Sequence, residues 1–132
     1  VPILVDTNVI LDIAHDDATW ADWSERQLEL QRPQGLVINP MIFSELCAGA
    51  ESVQEVDELL AKLGLTLQEL PKSALFLAAK AFLAYRRKGG SKTAPLPDFF
   101  IGAHAQAAGF PLLTRDSGRY KTYYPSVALV TP

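Results

Sequence analysis

Short apolar runs of strand length alternate with helical stretches along this chain, and each run stops at a polar residue. Ile3-Leu4-Val5 ends at Asp6, Leu36-Val37-Ile38 ends at Asn39, and Leu112-Leu113 ends at Thr114. Apolar runs of this length read as buried strands, and strands alternating with helices predict a parallel sheet covered by helices on both faces. Such sheets bind ligands at the carboxyl ends of their strands. An aspartate at the end of the first strand therefore stands where a site would be.

The boundaries follow from caps and breakers. Pro2 to Val5 reads as a strand, and Thr19 to Arg32 as a helix with Trp20, Trp23, Leu28 and Leu30 on or near the core side. Gly35 breaks the chain before the strand Leu36 to Ile38. Asn39 caps a helix that has Pro40 at its first position and runs through Ala50. Ser52 and Glu55 form a capping box for Val53 to Leu63, which ends near Gly64. Leu65 to Leu70 is strand-like, and Ser73 to Lys88 is a long helix stopped by Gly89 and Gly90. Gly89 to Pro97 reads as a flexible loop, Pro97 opens a helix to Gly109, and Pro111 to Thr114 and Val127 to Val130 are the last strands. No repeat or linker divides the chain, so its 132 residues are read as one domain, 1–132.

No run approaches the roughly 18 apolar residues of a membrane span, and VPILVD lacks a basic leader, so a cytoplasmic protein is expected. A lone Cys47 with only His15 and His104 gives no soft-ligand zinc set. Any metal would be held by oxygen. The net charge of −3 hides an asymmetry. The first 85 residues carry a net −8, whereas Arg86, Arg87, Lys88, Lys92, Arg115, Arg119 and Lys121 face only Asp98 and Asp116 in the remainder, a net +5. A basic third of a small protein is the footprint of phosphate-backbone binding. For Arg86, Arg87 and Lys88 the plainer alternative is a helix end whose dipole favours cations.

Four acids can meet at one edge of the sheet. Asp6 follows the first strand, Asp116 follows Leu112 and Leu113, Glu45 lies about one and a half turns into the helix after the second strand, and Asp98 is in the first turn of another helix. Carboxylates gathered this way repel one another unless a cation joins them, and magnesium or manganese suits an all-oxygen set. Each acid also has an ordinary explanation. Asp6 could cap a short helix over Val9 to Leu11, Asp98 could complement a helix dipole, and Asp116 could pair with Arg119. Glu45 sits among Ile42, Phe43 and Leu46 with Ala48 and Gly49 where a basic partner would be, so no local ion pair explains it. Cys47 reads as a small core residue and His104 as a packed or surface helix residue; Tyr120, Tyr123 and Tyr124 read as packing, although one could stack on an unpaired base.

Asp6-Thr-Asn, Ser44-Glu45-Leu, LPDFFIGAHA around Asp98 and LLTRD ending at Asp116 occur in an order that resembles the PIN domain, most closely the VapC-like ribonuclease toxins. The resemblance spans essentially the whole chain. It implies a three-layer α/β/α domain in which Asp6, Glu45, Asp98 and Asp116 hold magnesium or manganese and cut RNA, with Asn8 and Thr114 supporting the site by hydrogen bonds. It also implies a homodimer and a VapB-like antitoxin whose C-terminal segment wraps the toxin and blocks the carboxylates. Helices Thr19 to Arg32 and Ser52 to Leu63 are the groove expected for that segment. Two other readings compete. A haloacid-dehalogenase-type phosphatase needs an aspartate where this chain has Asn8. A PIN-like module without catalysis would bind RNA or protein only.

Overall fold

The computed structural model describes residues 1–93 and 96–132. Its centre is a five-stranded, all-parallel sheet of β1 (Ile3–Val5), β2 (Leu36–Ile38), β3 (Leu65–Leu67), β4 (Leu112–Leu113) and β5 (Leu129–Val130), in the order β3-β2-β1-β4-β5. Among the described residues seven α-helices connect and cover the strands: α1 (Thr7–Ala14), α2 (Ala21–Gln31), α3 (Pro40–Cys47), α4 (Val53–Leu63), α5 (Lys72–Arg87), α6 (Pro97–Ala108) and α7 (Gly118–Tyr123). The result is the three-layer α/β/α architecture that the alternation predicts. No helix among the described residues is long and apolar enough to cross a membrane.

Every residue of β1 and β2 is buried, as are Leu112 and Leu113. Removing a Leu, Ile or Val side chain from water contributes about 1.5–3 kcal/mol, so these three short runs are the main thermodynamic reason the sheet forms. Helix ends are set by local chemistry. The Asn39 side chain accepts from Ile42 N–H at 3.0 Å, and Ser52 Oγ accepts from Glu55 N–H at 3.1 Å. The Glu55 carboxylate reaches back to Glu51 N–H at 2.9 Å, one residue earlier than a standard capping box. Gly64 closes α4 with a left-handed φ of 74°, a conformation that costs other residues more.

Several expectations need correction. Leu30 is 63% exposed, because α2 turns Ala21, Ser24 and Leu28 inward instead. The third strand is Leu65–Leu67 and the last is Leu129–Val130, both shorter than their apolar patterns. Asp6 opens a full two-turn helix rather than one confined to Val9 to Leu11, and α7 was not anticipated at all. Of the loop expected from Gly89 to Pro97, residues 94 and 95 lie outside the described residues.

One topological feature positions the site. From β1 the chain moves to β2 and β3 on one side, then crosses to β4 and β5 on the other. The order therefore reverses between β1 and β4, and a crevice opens there above the strand ends. Val5 pairs with Leu113, which sets Asp6 and Thr114, the next residue of each strand, side by side at its floor.

Candidate active site

Asp6 is the innermost of the four acids, 5% exposed, and caps α1 by accepting from Thr7 N–H at 2.8 Å. Its other oxygen accepts from the Thr114 hydroxyl at 2.8 Å and the Tyr120 hydroxyl at 3.0 Å, with Asn8 Nδ2 at 3.4 Å. Burial pushes its carboxyl up to about 6; the hydroxyls of Thr114 and Tyr120 oppose that shift, and the charge of Asp98 adds to it. Capping and site-building are thus one geometry, since the turn from β1 into α1 aims the carboxylate into the crevice.

Asp98 sits in the first turn of α6, raised by burial and by the charge of Asp116, with Arg119 Nη1 3.7 Å away pulling in the opposite direction. The Tyr120 hydroxyl lies 3.5 Å from its Oδ1. Glu45, from α3, accepts from the Thr7 hydroxyl at 2.6 Å. Asp116 follows β4, exposed, its N–H donating to Thr114 Oγ1 at 3.1 Å. All four acids line one cleft of about 210 Å³ together with Thr7, Asn8, Leu11 and Tyr120. They share a cleft but not a point. Among the described residues, no three acidic, histidine or cysteine side chains stand close enough to hold an ion between them. The donor chemistry is nonetheless that of a hard divalent cation, with oxygen donors and two carboxyls raised by crowding and burial.

Asn8 and Thr114 take supporting positions. Asn8 Oδ1 accepts from Arg115 N–H at 3.1 Å, tying α1 to the end of β4. Of the basic set, Arg86, Arg87, Lys88 and Lys92 are exposed, and Arg119 borders the acids. Arg115 is engaged differently. Its guanidinium makes a two-pronged pair with Asp12, both contacts at 2.8 Å, and lies 5.4 Å from the Trp20 ring centroid. Arg119 pairs with Asp98, not with Asp116 as its spacing suggested. His104 is buried, its Nδ1 3.2 Å from Asn39 Nδ2, and burial lowers its pKa; it is not part of the lining of the carboxylate cleft. Cys47 is half-buried against the core.

Three residues that position the cleft or its surroundings escaped sequence reasoning. Thr7 holds Glu45, Tyr120 bridges toward Asp6 and Asp98, and Asp12 anchors Arg115. Asp12 carried the same signal as Glu45: an acid in an apolar helical stretch, with His15 and Asp16 where a strongly basic partner would be. Tyr120 carried none, because one tyrosine among three in a short segment looks like packing.

Fold and cleft together define the class, an α/β/α domain with an acidic crevice at the switch point of its sheet. The PIN domain family model matches residues 3–123, and the chain belongs to the PIN-domain family. No curated protein matches the sequence significantly. Among solved structures, the chain is similar to one in VapBC2 from Rickettsia felis bound to a promoter DNA fragment, at 18% identity and a TM-score of 0.75, covering 99% of this chain and 98% of that one. It is also similar to a chain in a toxin–antitoxin complex from Klebsiella pneumoniae (22% identity, TM-score 0.71, 98% and 97% covered). A third is in DNA-bound VapBC from Salmonella typhimurium (16% identity, TM-score 0.73, 99% and 98% covered). At these identities the likeness is one of fold.

Proposed function

We propose that this protein is a metal-dependent endoribonuclease, the toxin of a VapBC-like toxin–antitoxin pair, which hydrolyses RNA phosphodiester bonds at Asp6, Glu45, Asp98 and Asp116. The observation that carries the reading is the convergence of four carboxylates, from four separate elements, on one cleft with Arg119 as the cation beside them. Magnesium or manganese, held by those four residues, would lower the pKa of an attacking water and set positive charge against the non-bridging phosphate oxygens. Neighbouring side chains set these carboxylates in place. Thr7 fixes the Glu45 carboxylate, while Thr114, Asn8 and Tyr120 fix that of Asp6. Arg86, Arg87, Lys88, Lys92 and Arg119 are the surface for the RNA backbone. Arg115, already paired with Asp12, contributes mainly by holding the end of β4.

An antitoxin segment would have a place to lie. A groove of about 360 Å³ is lined by Ile13 of α1, Leu46 and the following Ala50, and Val56, Leu59 and Leu63 of α4. The groove expected between α2 and α4 is replaced by this one, since α2 contributes no lining residue. Leu11 borders both the groove and the carboxylate cleft, so a peptide in one can extend an arginine into the other. Leu75, Phe76 and Leu83, exposed on α5, suit a homodimer contact. This reading places the protein with its RNA in the cytoplasm.

The test combines cleavage with partner binding. Purified chain should cut single-stranded RNA with magnesium or manganese and stop on chelation, and Asp6→Asn should abolish both cleavage and growth inhibition. The protein encoded beside it should copurify and suppress toxicity. A folded parent that binds RNA without cutting it in either ion would instead mark a non-catalytic module.

A further inference from the structure

Beside the carboxylate cleft lies a wider one of about 390 Å³, whose lining includes Tyr85, Arg119, Thr122 and Tyr123. It shares Asp98 and Asp116 with the first, so a chain leaving the carboxylates enters it directly. Two half-buried tyrosines form its walls, Tyr85 from α5 and Tyr123 from α7. Both pack edge-on against Phe99, with ring centroids 5.6 and 5.4 Å away, which holds the walls in fixed orientations. Cations ride on them: the Arg119 guanidinium lies 5.6 Å from the Tyr85 ring and the Lys88 ammonium 5.4 Å from that of Tyr123. Behind Tyr85, Arg86 donates to the Lys92 carbonyl at 2.6 Å, and the Tyr85 hydroxyl accepts from Lys92 N–H at 3.3 Å. These bonds draw the basic segment 86–92 against the wall.

The chemistry of the lining selects its occupant. A carboxylate ligand would meet Asp98 and Asp116, and a cationic side chain would meet Arg119 and Lys88. A nucleobase is neutral and flat, stacks on aromatic rings and guanidinium planes alike, and brings its phosphates to the basic rim. A side-chain ring or guanidinium stacks on a base only where that face of the base is free of its own stack. We infer that this cleft is a nucleotide subsite, taking the base of one unpaired nucleotide next to the phosphodiester held at the carboxylates, with Tyr123 and the Arg119 guanidinium as its stacking surface and Tyr85, stacked on Phe82 at 6.0 Å, as the support beneath Arg119. The inference rests on the ribonuclease reading and adds to it a base-stacking subsite on one defined flank of the cleaved bond.

Cleavage kinetics of a single-stranded oligoribonucleotide with manganese test it. The oligonucleotide is used intact and with an abasic residue on either flank of the cleaved bond. The parent should lose roughly 5- to 150-fold in kcat/KM when the abasic residue falls on one flank, and little when it falls on the other. Tyr123→Leu should lose a similar factor on intact RNA but little more on that abasic RNA, while Tyr123→Phe, which keeps the ring, retains the parent rate. A parent indifferent to abasic residues on both flanks overturns the subsite alone, and this comparison needs no variant to fold. Equal losses by a folded Tyr123→Leu on intact and abasic RNA overturn it too. A parent that cuts no RNA overturns the ribonuclease reading and the subsite with it.

Discussion

Replacing Asp6 by Asn should make the metal-free protein more stable while removing its activity. The Asp6 carboxyl stands at about 6 in the folded chain against 3.8 when unperturbed, so the folded state binds its proton more tightly than the unfolded one. Stability from this group is therefore greatest below pH 3.8, falls as pH rises toward 6, and is flat above. About two units at roughly 1.4 kcal/mol each place the cost of its charge near 3 kcal/mol at pH 7. An Asn side chain can keep the cap on Thr7 through its oxygen, while its amide turns a donor toward the Thr114 and Tyr120 hydroxyls, which must then reorient. That rearrangement costs about 1 kcal/mol, the worth of one ordinary hydrogen bond. The net expectation is a gain of roughly 2 kcal/mol at pH 7, read by urea denaturation in chelator. At pH 4 the difference should shrink to zero or reverse, because the parent's Asp6 is then largely protonated. Asp6→Asn less stable than the parent at pH 7, or a difference that ignores pH, would refute the reasoning.

Tyr120→Phe removes one hydroxyl from a buried ring that still fills its place, so it should weaken manganese affinity roughly 10- to 100-fold with little change in fold, as isothermal titration would show. Gly102→Ala should lower stability by about 1–3 kcal/mol, because a Cβ there overlaps the Tyr124 ring and crowds that of Tyr120; thermal denaturation reports it. Arg115→Met leaves Asp12, 4% exposed, with only the Ser24 hydroxyl, and should cost about 3 kcal/mol in the same assay at neutral pH.

The three central strands were legible because burial on both faces leaves plain apolar runs, and α3, α4 and α6 because Asn39, Ser52, Pro97, Gly64 and Gly109 punctuate them. The four acids stood out for the same reason: charge interrupts patterns that should be apolar. Helix α7 escaped because six residues with no side-chain cap, GRYKTY, carry no usable periodicity. It is held by tertiary packing, in which the Tyr124 hydroxyl donates to the Phe99 carbonyl at 2.6 Å and Gly102 makes room for its ring. The Asp12–Arg115 pair joins residues 103 positions apart, and only the pairing of β1 with β4 brings them together. The walls of the groove beside α4 escaped for a similar reason: which helices stand next to it is a matter of layer packing, not of any one helix's sequence.

If the four carboxylates work as one metal-dependent catalytic site, a manganese titration that follows bound ion and RNA cleavage in the same samples should show the two rising together. Electron paramagnetic resonance would count free manganese, and gel analysis the cleaved strand. The parent should bind the ion and gain activity over the same concentration range, and Asp98→Asn should shift both curves together to higher manganese. Cleavage that persists in chelator, or an Asp98→Asn chain that cuts at the parent's rate without binding the ion, would contradict the account.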